Sequence, residues 1–178
     1  MRFLILHGLA GSGPGHWQPW LAQRLGEAGH DVCFPELPDP EHPRLGAWLD
    51  ALAPLRRPGD VVVCHSAACI LWLHHRARGG QPAGRALLVA PAHPEPMLDE
   101  LTSFFPVPLE PRLAREARVV TSDEDPYCPG GAVERYAEPL GAPVDVLPGA
   151  GHINAESGYG PWPAVEAWCY GENQGIET

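Results

Sequence analysis

The sequence predicts an α/β fold: a single domain over residues 1–178 with about six mostly parallel strands and helices on both faces. Three observations carry that reading. Apolar runs such as Val61-Val62-Val63-Cys64 and Ala86-Leu87-Leu88-Val89-Ala90 are continuous rather than alternating, which suits strands covered on both faces and hence a parallel sheet. Those runs take turns with stretches of helical periodicity. The chain has 178 residues, 44% of them hydrophobic and 19% charged, which suits one substantial core.

Taken in order, strand-like runs fall at 2–6, 31–34, 60–65, 85–90, 117–121 and 143–147. Helical patterns fall at 16–28, 44–56, 67–78, 130–139 and 162–170. The first run, Phe3-Leu4-Ile5-Leu6, stops at His7-Gly8. It is too short for a signal-peptide core, and no stretch approaches the ~20 apolar residues of a membrane span. The third run passes through Ser66 into Ala67-Ala68-Cys69-Ile70-Leu71-Trp72-Leu73, a helix expected to pack inward. Residues 91–116 are rich in proline and break the rhythm, so they read as a loop or short-helix excursion. No linker divides the chain and no segment is left for a lid domain. Residues 171–178 read as a flexible tail.

Charge and composition exclude several classes. The net charge of −10 argues against nucleic acid or an anionic membrane as partner. All twelve basic residues are Arg, so Schiff-base chemistry, pyridoxal-phosphate anchoring and a P-loop Lys are ruled out together. The five cysteines lack CxxC spacing and read as free, mostly buried thiols of a cytoplasmic protein. Nine histidines include no HExxH-type pair, and His74-His75 are adjacent on a helix where neighbours face different ways. No metal and no cofactor is expected.

Function in an open parallel sheet gathers at the carboxyl ends of its strands. The third strand ends at Ser66, the joint of strand and helix where a nucleophile elbow, G-x-S-x-G, would stand. Cys64 and Ala68 occupy the two Gly positions; both are small. The alternative is a helix N-cap. His152 follows the last strand in Gly149-Ala150-Gly151-His152, and Asp125 follows the fifth in Ser122-Asp123-Glu124-Asp125-Pro126. The order Ser66, Asp125, His152 is the one this elbow architecture uses.

A serine hydroxyl needs a base to become a nucleophile, and a carboxylate must fix the tautomer of that base. Of the three carboxylates, Asp125 is the expected partner, and Asp123 is expected to bond loop amides. The oxyanion donors are expected from the backbone N–H groups of Leu9 and Ala67. A phosphate-cradling role for Gly8-Leu9-Ala10-Gly11-Ser12-Gly13 is weakened by the lack of Lys. A Cys64 or Cys128 nucleophile is weakened by their places away from the elbow apex.

The stretches "LHGLAGSGPGHWQPWL", "CHSAAC", "SDEDPYC" and "GAGHINAESGYGPWP" resemble the small, lidless α/β-hydrolase family that includes the retinoblastoma-binding protein nine and its bacterial relatives. The resemblance spans nearly the whole chain and implies an α/β-hydrolase fold with nucleophile Ser66, acid Asp125 and base His152. It departs at the elbow, where relatives usually carry Gly in place of Ala68. The expected activity is hydrolysis of a small ester, amide or thioester through an acyl-enzyme. The alternative is a protein-interaction module on a hydrolase scaffold, with an unspecified protein partner. His16, Trp17, Phe104, Phe105, Tyr127 and Trp162 are the candidate pocket residues, with core packing as their other reading.

Overall fold

The computed structural model describes residues 1–109, 114–129, 134–172 and 175–177. Among the described residues six strands form one sheet: β1 (Arg2–Leu6), β2 (Asp31–Cys33), β3 (Val61–His65), β4 (Ala83–Val89), β5 (Ala114–Ser122) and β6 (Val144–Leu147). Their order is β2-β1-β3-β4-β5-β6, and every pairing is parallel. The α-helices among the described residues cover it: α1 (Trp17–Glu27), α2 (Leu45–Leu52), α3 (Ala67–Ala77), α4 (Glu134–Leu140) and α5 (Pro163–Cys169).

Side chains alternate across the sheet, so each strand feeds two cores. Leu4, Leu6, Val62, Cys64 and Leu88 meet Trp48 of α2, Trp72 of α3 and Tyr136 of α4 on one face. Phe3, Ile5, Val61, Val63, Leu87 and Val89 meet Trp17, Leu21 and Leu25 of α1 and Trp168 of α5 on the other. Residues 67–74 of α3 are all buried, which explains why this helix lacks a polar stripe. Register aligns the strand ends: Leu6 faces Cys64, Cys64 faces Leu88 and Val89 faces Val120. The loops leaving β1, β3, β4 and β5 therefore emerge side by side.

Several boundaries move for identifiable reasons. The second helix ends at Leu52 and tightens to a 3-10 turn over 53–55, where Pro54 removes a donor. The excursion 91–116 contains a 3-10 helix at Asp99–Phe104, and its last residues belong to β5, which starts at Ala114 rather than 117. The helix expected over 130–139 is α4, while 130–133 lie outside the described residues. Part of the stretch read as a tail packs on the domain. Ile176 is buried and its N–H donates to the Asp145 carboxylate at 2.8 Å, while Trp162 Nε1–H donates to the Glu177 carbonyl at 2.9 Å. Residues 175–177 are docked because an apolar side chain and two buried polar groups find partners there; 173, 174 and 178 lie outside the described residues. Among the described residues no helix is long and apolar enough to cross a membrane.

Candidate active site

Ser66 stands between β3 and α3 with φ 54° and ψ −121°, a backbone conformation that L-residues rarely adopt. Its N–H donates to the Val89 carbonyl at 3.0 Å and its own carbonyl accepts from Cys69 at 2.9 Å. Those bonds on both sides hold the sharp turn. The side chain does not cap the helix; its Oγ lies 3.0 Å from His152 Nε2. Cys64 and Ala68, small and fully buried, occupy the positions two before and two after.

His152 presents its other nitrogen to Asp125, with Nδ1 at 2.9 and 3.0 Å from the two carboxylate oxygens. A carboxylate only accepts, so Nδ1 carries the proton and the Nε2 lone pair faces the Ser66 hydroxyl. Asp125 is buried and also accepts the Tyr127 N–H at 2.9 Å. Asp123 turns elsewhere and accepts the Gly149 N–H at 2.7 Å, tying the end of β5 to the loop that carries His152. Glu124 is exposed.

The β1 loop presses on this joint. A Cβ on Gly8 would lie 2.7 Å from Ser66 Cβ and 3.2 Å from the His65 carbonyl, so only Gly permits the approach. His7 Nε2 accepts the Leu37 N–H at 2.8 Å, which leaves Nδ1–H to donate to the Gly8 carbonyl, also at 2.8 Å. The Gly11 N–H donates to the same carbonyl at 3.2 Å. With that carbonyl fixed, the planar trans peptide fixes the Leu9 N–H in the opposite direction.

The sequence model of the serine hydrolase family matches residues 3–170. The chain belongs to the serine hydrolase family. It is 29% identical over 171 residues to YdeN of Bacillus subtilis (strain 168), covering 90% of each chain. The solved structure of the B. subtilis ydeN gene product superposes with a TM-score of 0.81 at 24% identity, over 96% of this chain and 97% of that one. Est1E from Butyrivibrio proteoclasticus, solved with ferulic acid bound, gives a TM-score of 0.70 at 14% identity, over 96% and 88%. These neighbours share the single-domain α/β-hydrolase fold.

In this serine hydrolase a cleft of about 390 Å³ opens beside Ser66 and His152. Of the aromatic candidates, His16, Phe105 and Tyr127 line it. Trp17, Phe104 and Trp162 do not: all three are buried in the cores, Phe104 edge-on to Trp48 at 5.3 Å and Trp17 edge-on to Trp162 at 5.5 Å. Their large apolar surfaces are satisfied by the sheet faces rather than the cleft. Leu9 and Ser66 both line the cleft, and Ala67 begins α3 behind them.

Sequence reasoning passed over Met97, Leu98 and Leu101, which the excursion after β4 brings to the cleft wall. Their signal was an apolar cluster inside a proline-rich segment at a strand's carboxyl end. His65 was also passed over; it borders the cleft beside His16 and His152.

His16 is the N-cap of α1, its Nδ1 accepting the Gln18 N–H at 3.1 Å. Its Nε2 is then the protonated nitrogen, and it is buried without a hydrogen-bond partner among the described residues. Burial, helped by the nearby His152 ring, pulls its pKa down to about 4. Burial likewise pushes the Cys128 thiol up to about 12 and the Cys64 thiol higher still, which keeps both protonated and poor nucleophiles.

Proposed function

We propose that this serine hydrolase cleaves small carboxylic esters through an acyl-enzyme on Ser66. The arrangement that carries the reading is the chain of bonds from Ser66 Oγ to His152 Nε2 at 3.0 Å and from His152 Nδ1 to both oxygens of Asp125. His152 takes the hydroxyl proton as Oγ bonds to the ester carbonyl carbon. The resulting oxyanion is met by the N–H groups of Leu9 and Ala67, the second backed by the positive end of α3. The C–O bond of the leaving alcohol then breaks and His152 returns the proton to that oxygen. Water repeats the cycle on the acyl-enzyme and releases the acid.

The cleft supports a neutral acyl group. Its wall is largely apolar, from Leu9, Met97, Leu98, Leu101, Phe105 and Tyr127, and no Arg is among its lining residues that the structure describes. Glu95 and Glu156 border it, and the chain carries a net charge of −10. An anionic acyl chain would meet no countercharge among those described lining residues.

The test is Ser66→Ala. Hydrolysis of p-nitrophenyl esters and covalent labelling by a fluorophosphonate are both expected to vanish, with stability within ~1 kcal/mol of the wild type. A folded Ser66→Ala protein that still labels would place the nucleophile elsewhere. A wild type that labels poorly and turns over nothing would favour a binding role for the cleft.

A further inference from the structure

His152 sits on a loop, and loops hold a ring in place poorly unless their backbone is tied down. Two ring N–H donors tie this one. His65 Nε2 lies 3.0 Å from the His152 carbonyl, and Trp17 Nε1 lies 2.9 Å from the Ile153 carbonyl. A carbonyl oxygen only accepts, so His65 Nε2 carries a proton and donates. The two donors brace each other, the Trp17 and His65 rings meeting edge-on at 5.9 Å and His16 packing edge-on to His65 at 4.9 Å. Ile153 itself is at φ 48°, a turn that needs its neighbours to hold it.

The register of the chain makes the consequence sharper. His65 immediately precedes Ser66, so two consecutive residues grip His152 from opposite ends. His65 takes its carbonyl, and Ser66 Oγ faces its ring nitrogen at 3.0 Å. His65 is buried at the edge of the cleft, and burial holds its imidazole well below the usual pKa, so the ring stays neutral. A neutral donor can hold the loop without placing a second positive charge beside His152 as that ring becomes imidazolium.

We propose that His65 and Trp17 are positioning residues, a pair of ring donors that clamp the carbonyls of His152 and Ile153 and thereby set the His152 imidazole against Ser66. The inference rests on the reading of Ser66, Asp125 and His152 as the reacting groups. It assigns a role to Trp17 that pocket lining does not, and to a histidine that is neither acid nor base.

The test compares His65→Leu, which removes the donor at similar volume, with His65→Gln, whose amide N–H reaches a similar point. With p-nitrophenyl acetate as the probe, His65→Leu is expected to lower kcat on the order of 10²-fold, the scale of a displaced catalytic group, with KM nearly unchanged. His65→Gln is expected to restore most of that loss. Near-wild-type kcat in His65→Leu, or equal loss in both variants, overturns the proposal. If His65→Leu does not fold, Trp17→Phe decides: a fall in kcat at constant KM supports the clamp and an unchanged kcat overturns it. Ser66→Ala separates the two levels, because activity surviving there sinks the catalytic reading itself, whereas activity lost there but kept in His65→Leu sinks only the clamp.

Discussion

At Ser66 a non-glycine residue is held at φ 54°, a strain worth roughly 1–3 kcal/mol that persists only because the surroundings dictate it. What that strain achieves is an Oγ lifted off the helix N-terminus and turned to His152 Nε2. Asp125 does the complementary work on the far side of His152. Removing its charge while keeping its shape should leave the fold intact and let the ring choose the wrong tautomer. Asp125→Asn is expected to lower kcat by about 10³–10⁴-fold, as triad tautomer loss does elsewhere. Asp123→Asn, which keeps an acceptor for the Gly149 N–H and loses only its charge, should at most lower the melting temperature slightly. Steady-state kinetics and thermal melts on the two variants check this; a dead Asp123→Asn beside an active Asp125→Asn would reverse the assignment.

At the scale of elements, the site is a junction of loops from β1, β3, β4, β5 and β6, and Gly8 makes one of the closest contacts in it. With 2.7 Å between Ser66 Cβ and any Cβ at position 8, the β1 loop must retreat if the residue grows. Such overpacking costs about 1–3 kcal/mol. Retreat would also drag the Gly8–Leu9 peptide, and with it the Leu9 N–H that His7 orients through the Gly8 carbonyl. Gly8→Ala is therefore expected to lower both stability and kcat, with the kcat loss remaining in fully folded protein. Denaturant melts paired with active-site-titrated kinetics measure the two separately. A variant that loses stability alone would remove the β1 loop from the oxyanion site.

At the scale of the molecule, buried neutral histidines set the acid limit. Burial lowers the pKa of His7, His16, His65 and His74 in the folded chain, His16 to about 4 from an ordinary 6.5. Between those values the unfolded chain binds protons that the folded one refuses, so stability falls as pH drops from about 6.5 toward about 4 and is fully present above that window. The melting temperature should decline through this range, and less steeply in His16→Asn, which keeps an acceptor for the Gln18 N–H but does not titrate. An unchanged slope in His16→Asn would show that His16 contributes nothing to it. The open cleft of about 390 Å³ sets a second limit, on acyl length. Short and medium neutral acyl esters should be hydrolysed best, succinyl-type anionic ones poorly, and emulsified long-chain lipid without interfacial activation. A chain-length and charge series of p-nitrophenyl esters checks it.

The sequence alone determined the sheet, its parallel sense and the order Ser66, Asp125, His152, because these follow from local pattern. Continuous apolar runs mark strands buried on both faces, and polar residues just past strand ends fall on one edge of such a sheet. It also separated Asp125 from Asp123, since the proline turn after Asp125 is a local feature. Only the tertiary structure decided which aromatics face the cleft. Trp17, Phe104 and Trp162 have the same composition signal as Phe105 and Tyr127, and burial against a distant element is not written in the neighbours of either set. It also decided that 175–177 dock, through an Asp145 carboxylate about thirty residues upstream. His65 was hidden for the same reason: its partner is a carbonyl 87 residues away, and long-range closure alone brings a strand-end histidine to the loop of His152.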